Sequence, residues 1–187
     1  VFNGVVESKT YIFYLVVATV PAVLAGFLLD EYIKSTFIPS VAIFMLFITG
    51  LILATTYFSL NRPIRQITLL IAFCIGIAQA CALMPGISRS GITISVALLM
   101  GIRHQDAAKF AFFMAIPALL GAGLFEVVKI DHMKDIAVFP LIMGFFSAAV
   151  VGYLVIDWLL GVISKGKFYL FSLYCFTIAI IAYIFIY

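Results

Sequence analysis

The sequence predicts a polytopic all-α integral membrane protein, and three observations carry that fold class. Hydrophobic residues fill 66% of the 187 positions and charged residues only 10%, a balance unlike that of a water-soluble domain. Uncharged or nearly uncharged runs of about 20 residues, enough to cross a hydrocarbon core of about 30 Å as a helix, recur along the chain. The Lys, Arg, Asp and Glu residues collect between those runs, where loops meet the headgroups.

The elements follow in order. Residues 11–29 carry no charge and form the first span. Pro21 is tolerable inside it because neighbouring helices and waters satisfy the carbonyl that proline frees. The run lacks the basic flank and small-residue cleavage site of a secretory leader. Residues 38–60 form an uncharged second span. Residues 107–128 form a third, apolar apart from Lys109 and Glu126 near its ends, where long side chains reach the interface. Residues 136–156 and 168–187 complete the set, and one membrane domain, 1–187, contains all five spans.

The stretch 66–102 is of another kind. Residues 66–84 are long enough to cross, but the next uncharged piece, 90–102, has 13 residues and is too short to return as a span. If 66–84 crosses, the flanking Lys and Arg residues divide five to six between the two faces. If 66–102 is instead a helical hairpin that enters and leaves on one side, they divide seven to three, with Arg89 at its tip. The positive-inside rule favours the second arrangement, a re-entrant hairpin entered from the cytoplasmic face. Non-helical backbone at that depth survives only when buried in protein or lining a wet cavity. The turn from Pro85 to Thr93 is therefore predicted to line a polar pocket.

Arg89 is the sole charge between Gln66 and Ile102. A charge at bilayer depth costs at least about 2.5–3.5 kcal/mol on insertion scales, so it calls for a partner. Gly86 and Gly91 break regular structure on either side of it, while Ser88, Ser90 and Thr93 bring hydroxyls next to a guanidinium fork suited to phosphate oxygens. The plainer reading is an interfacial arginine that snorkels to the headgroups. Ser90 is expected to cap the second hairpin helix, turning the N–H groups of Gly91 to Thr93 toward the pocket; a helix N-terminus beside an arginine suits phosphate. Gln79 is the only other strong polar group in the hairpin, and both a pocket contact and a pairing within the helix bundle are open to it.

Other signals are weaker. The eight acidic residues lie in loops or at span ends, without the paired spacing of a metal or acid–base site. His104 and His132 are far apart, and Cys74, Cys81 and Cys175 read as core fillers. The net charge of +3 is what basic cytoplasmic loops produce, and no cluster points to nucleic acid.

Gln79, Ala82-Leu83, Pro85-Gly86-Ile87-Ser88-Arg89-Ser90-Gly91 and Thr93-Ile94-Ser95 together resemble the second signature of the undecaprenyl-diphosphate phosphatase family, also called the BacA or UppP bacitracin-resistance family. The resemblance continues through Met100-Gly101, Ala108 to Phe112 and Pro117, and backward through Pro21-Ala22 and Ile33-Lys34-Ser35. It implies a hydrolase of the bacterial plasma membrane that removes the terminal phosphate from undecaprenyl diphosphate, recycling the envelope lipid carrier, with its site facing the extracytoplasmic side. The implied fold is a pair of inverted repeats, each a re-entrant pair plus three spans. Carried over residue by residue, Arg89, Ser88 and Thr93 are the catalytic candidates, and Gly86, Ser90, Gly91 and Gln79 the substrate-binding ones. The resemblance leaves open a divalent cation, magnesium or calcium, with ligands outside this chain, and a homodimer; its partners are the polyprenyl diphosphate and the membrane.

One departure stands out. The family's first signature, a re-entrant segment with two glutamates, a pair of serines and a histidine, is missing. Gly4-Val5-Val6-Glu7 resembles its start, but Ser8-Lys9 and a full span follow, which suits a cytoplasmic loop better. The chain, opening on Val1, reads as amino-terminally truncated. It is expected to lack the nucleophile and base, to bind phosphate weakly and not to turn over. The alternative function is a transporter or flippase using the same arginine as an anion site. A purely structural multi-span protein leaves Arg89 unexplained.

Overall fold

The computed structural model describes residues 8–60, 63–129 and 138–186. Among them every regular element is helical: α1 (Ser8–Leu28), α2 (Asp30–Ser35), α3 (Pro39–Thr55), α4 (Leu69–Cys81), α5 (Arg89–Leu99), α6 (His104–Lys129), α7 (Val138–Ser164) and α8 (Phe171–Ile186). Short 3-10 turns continue α3 through Ser59 and lead into α8 from Phe168. The loop reading of Gly4 to Glu7 and the charges at Arg62, Asp131, His132, Lys134 and Asp135 lie outside the described residues.

Five segments are long and apolar enough to cross a membrane: Lys9–Leu28, Pro39–Ser59, His104–Leu124, Phe139–Ser164 and Phe168–Ile186. They coincide with the five expected spans to within four residues at each end, except that the fourth continues eight residues further, to Ser164. The α6 helix begins earlier than expected, at His104, and takes Asp106 into its first turn, where a carboxylate complements the positive helix end. Pro39 opens α3 after an extended Ile38, the position at which proline's missing N–H costs nothing. Between α1 and α3, the short α2 carries Asp30 and Glu31 at its start and Lys34 at its end, with Lys34 Nζ 2.6 Å from Asp30 Oδ2. Large apolar side chains such as Phe27, Phe139, Tyr153 and Phe185 stand exposed, as lipid-facing residues do.

Small residues set the helix contacts. Gly76 brings α4 so close to α1 that a Cβ would strike the carbonyl oxygen of Ala18, the close backbone approach that membrane helix pairs use in place of a hydrophobic driving force. One level further along, Leu83 lies beside Gly26, so α1 and α4 run side by side in the same direction. On the other flank, Gly50 of α3 makes room for the ring of Phe176 in α8. The interior where α4, α5 and α6 meet is filled by Ile75, Ile94, Leu98, Phe110 and Met114, all fully enclosed. Tyr11 ties α1 to α6 by an edge-on contact with Phe110 at 5.7 Å. Most of the α7 span stands outside this core, which it joins only near its end through Ile163. Core filling holds only for Cys175. Cys74 is half-buried and Cys81 is exposed near the end of α4, because its side of the helix faces away from α1 and α5.

The segment between α3 and α6 is a helix–turn–helix closed at its base. With 13 and 11 residues, α4 and α5 are about 20 Å and about 16 Å long, each well short of a bilayer core. The Arg65 N–H donates to the Gly101 carbonyl at 2.8 Å, and Arg65 pairs with Ile102 in an isolated bridge. Chain entering at residue 66 thus leaves at 102 from the same end of the bundle.

Gly76→Ala should separate α1 from α4 and lower the thermal unfolding temperature in detergent, a loss of about 1–3 kcal/mol. Gly121→Ala, where a new Cβ meets nothing within 4 Å, is the control expected to leave it unchanged.

Candidate functional site

Residues 82–88 join α4 to α5, and their course places every candidate side chain. The apex is Leu83 and Met84. Leu83 reaches Gly26 near the end of α1, and Met84 Sδ lies 4.0 Å from Thr36 Oγ1, just before α3. Gly86 then reverses the chain at φ +90°, a conformation that L side chains rarely adopt, and any Cβ there would collide with the Ala42 carbonyl. From that point the backbone runs down α3. The Ser88 N–H donates to Thr49 Oγ1 at 3.2 Å, and the Thr49 hydroxyl also lies 3.2 Å from the Gly86 carbonyl.

Thr49 is ten residues from either end of the Pro39–Ser59 segment. Arg89, the residue after Ser88, therefore starts α5 halfway along a spanning helix. The expectation of Arg89 at the tip is corrected accordingly: the tip is Leu83 and Met84, and Arg89 lies deeper because Gly86 folds the turn back against α3 before the helix begins.

The helix start differs in a second respect. Ser88, not Ser90, is the cap. Its backbone is extended (φ −74°, ψ 113°), and its Oγ accepts from the Gly91 N–H at 3.1 Å. Its carbonyl accepts from the Ile92 N–H at 2.9 Å. The N–H groups of Gly91 and Ile92 are thereby spent inside the turn. Those of Arg89 and Ser90 have no acceptor among the described residues and are the ones a ligand can meet. The sequence allows either serine as the cap; the bond from Ser88 N–H to Thr49 decides between them by holding Ser88 extended.

The remaining candidates occupy distinct places. Pro85 to Ser90 are half-buried, so the turn is reachable. Gly91 sits against the Ser88 side chain, where a Cβ would fall 2.9 Å from Ser88 Cβ. Thr93 is buried and donates its hydroxyl to the Arg89 carbonyl at 2.7 Å. That bond braces the first turn of α5 and uses the proton expected for a ligand. Gln79 is wholly enclosed, one turn beyond Gly76 on α4, and neither its Nε2 nor its Oε1 has a partner. The structure does not bring it to the open face of the turn. Ser95 Oγ is likewise enclosed without a partner.

Thr49 went unnoticed in the sequence. It is one of three threonines in an uncharged span, and the only local sign of it is the adjacent Gly50, since a small residue beside a hydroxyl in mid-span marks a close helix contact. The donor set does not fit a resident magnesium or calcium ion. Among the described residues no three His, Cys, Asp or Glu side chains gather, and hydroxyls, amides and a guanidinium suit an anion instead.

Helices of this length and an arginine opening a short helix at mid-span define a multi-pass membrane protein with an interior helix terminus suited to an anion. Residues 3–181 match the family described as bacitracin resistance protein BacA, and the chain belongs to that family. An undecaprenyl-diphosphatase of Methanobrevibacter smithii is 36% identical over 179 residues, covering 94% of this chain and 65% of the relative. One of Bacteroides thetaiotaomicron is 37% identical, covering 90% and 66%. The chain thus spans slightly under two thirds of the length of these relatives. A third undecaprenyl-diphosphatase, of Methanothermobacter thermautotrophicus, is 37% identical over 172 residues, with 89% of this chain and 95% of the relative covered.

Ser88→Ala should remove the α5 cap and cost about 1 kcal/mol, with faster amide exchange at Gly91, whereas Ser90→Ala should leave both unchanged. Hydrogen exchange with thermal unfolding in detergent checks the pair.

Proposed function

We propose that this chain carries the phosphate-binding half of a hydrolase that converts undecaprenyl diphosphate to undecaprenyl phosphate and inorganic phosphate. The observation that carries the reading is Arg89 at the start of α5, at mid-span, beside two open backbone N–H groups and the Ser88 hydroxyl. Membership of the BacA family and the names of its relatives support the same substrate.

In this reading the guanidinium takes two oxygens of the terminal phosphate in fork geometry. The N–H groups of Arg89 and Ser90, at the positive end of α5, take up charge that grows as the reaction proceeds. Ser88 adds its hydroxyl proton, and Thr93 keeps the turn under Arg89 rigid. Hydrolysis breaks the bond from the terminal phosphorus to the bridging oxygen, whose electrons stay with the lipid monophosphate, while water supplies the new P–O bond. Among the described residues none of the groups bonded to the Arg89 turn is a carboxylate or histidine, and in this reading the turn residues bind and orient.

The proposal extends to the membrane. Residues 66–102 form a re-entrant hairpin entered from the cytoplasmic side of the plasma membrane, with the anion site open to the other side. The base of the hairpin supports this orientation. Arg65 and Arg103 stand there, and the turn at Gly166, between Lys165 and Lys167, comes close to His104, an arrangement in keeping with the positive-inside rule.

The test is inorganic phosphate release from undecaprenyl diphosphate by the native gene product in detergent. Arg89→Ala should lower kcat/KM by about a hundredfold or more with membrane insertion intact, and Arg89→Lys should recover little because the fork is lost. Activity retained in Arg89→Ala would overturn the proposal.

A further inference from the structure

Among the described residues, four threonines lie within hydrogen-bond reach of the carbonyl four residues earlier in their own helices. Thr19, Thr93 and Thr177 each donate to the carbonyl four residues earlier, at 2.8, 2.7 and 2.8 Å, the ordinary resting state of a threonine in an apolar helix. Thr49 has the same option at Met45 O, 3.0 Å away, but it has long-range partners as well. Its Oγ1 accepts from the Ser88 N–H, 39 residues further on, and lies within reach of the Gly86 carbonyl. A hydroxyl has one proton, so Met45 O and Gly86 O compete for it. The Ser88 N–H has Thr49 Oγ1 as its one acceptor among the described residues, and Thr49 itself is enclosed, at 1% exposure.

Ala42, Met45 and Thr49 recur at helical spacing on one face of α3, and the turn lies along that face. Gly86 presses on Ala42, and the Thr49 methyl lies 3.6 Å from where a Gly91 Cβ would stand. The hydroxyl and the methyl thus grip the strand of chain on either side of Arg89 without touching Arg89 or its open N–H groups. We propose that Thr49 is a positioning residue of the Arg89 site: from mid-span in α3 it holds the Gly86–Ser88 backbone, and so sets the depth and direction of the guanidinium and of the α5 terminus. The proposal rests on the reading of Arg89 as a phosphate-binding residue. It also assigns α3, outside the recognised motif, a share in the site.

Thr49→Val keeps the shape and the methyl and deletes the oxygen, while Thr49→Ser keeps the oxygen and deletes the methyl. Farnesyl diphosphate, a soluble polyprenyl diphosphate, is the probe. Its affinity for the detergent-solubilised protein is measured by calorimetry beside Arg89→Ala, together with amide exchange over residues 86–90 in the ligand-free protein. Thr49→Val should bind about tenfold more weakly than wild type and exchange faster at Ser88, and Thr49→Ser should stay within about twofold of wild type on both. Wild-type affinity in Thr49→Val, with binding lost in Arg89→Ala, overturns the positioning role and leaves Arg89 standing. Undiminished binding in Arg89→Ala overturns the phosphate reading instead. In that case exchange decides for Thr49, and unchanged protection of Ser88 in Thr49→Val rejects it.

Discussion

Everything at the centre of this protein depends on satisfying a stretch of non-helical backbone that lies alongside a helix long enough to span. Seven residues, 82–88, link two helices too short to cross; the N–H groups of Ala82, Leu83 and Met84 donate back to the end of α4 and that of Ile87 to Met84, whereas that of Ser88 turns to α3. The chain meets that demand by laying the turn against α3. Gly86 supplies the reversal without a side chain, and Thr49 supplies an acceptor for Ser88 where an all-apolar helix has none. With Ser88 held extended, its own side chain is free to cap α5. An arginine is thereby set at the start of a helix, with the N–H groups of Arg89 and Ser90 open beside it among the described residues.

The rest of the bundle steadies that turn from both sides. Gly76 lets α4 lie directly on α1, Gly50 lets α8 close on α3, and the bond from Arg65 to Gly101 shuts the base of the hairpin. Bulky residues at either glycine would push apart helices that have no hydrophobic penalty to resist separation in lipid. The α7 helix takes no part in this clamp, which explains why glycines 144, 152 and 161 on it have open space around them. The glycines of the clamp are structural because another helix approaches them, through its backbone at Gly76 and through the Phe176 ring at Gly50.

Much of this was legible from residues alone. Charge-free runs near 20 residues locate the five spans because the bilayer fixes their length, and the 13-residue run after Arg89 marks a helix too short to cross for the same reason. The signature from Pro85 to Gly91 points to Arg89 since an isolated charge in an apolar stretch is costly without a role. Other details were not legible. Ser88 and Ser90 are equivalent as caps in the sequence, and the fate of the Thr93 hydroxyl depends on a rotamer. Cys81 looked like core packing, but helix rotation turns it outward. Gln79 was open to either pocket or bundle, and the fold encloses it with both ends of its amide unpaired.

The sequence by itself determined the class, the number of spans and the one charge between Gln66 and Ile102, because hydrophobic length and the cost of a buried charge are properties of local composition. Only the tertiary structure decided the depth of Arg89, the identity of the cap and the contribution of Thr49. Each of those depends on a contact between positions about 40 residues apart, where two helices approach closely enough for one backbone amide to find one hydroxyl. No local pattern encodes that meeting. It follows from how Gly86 and Ala42 come together.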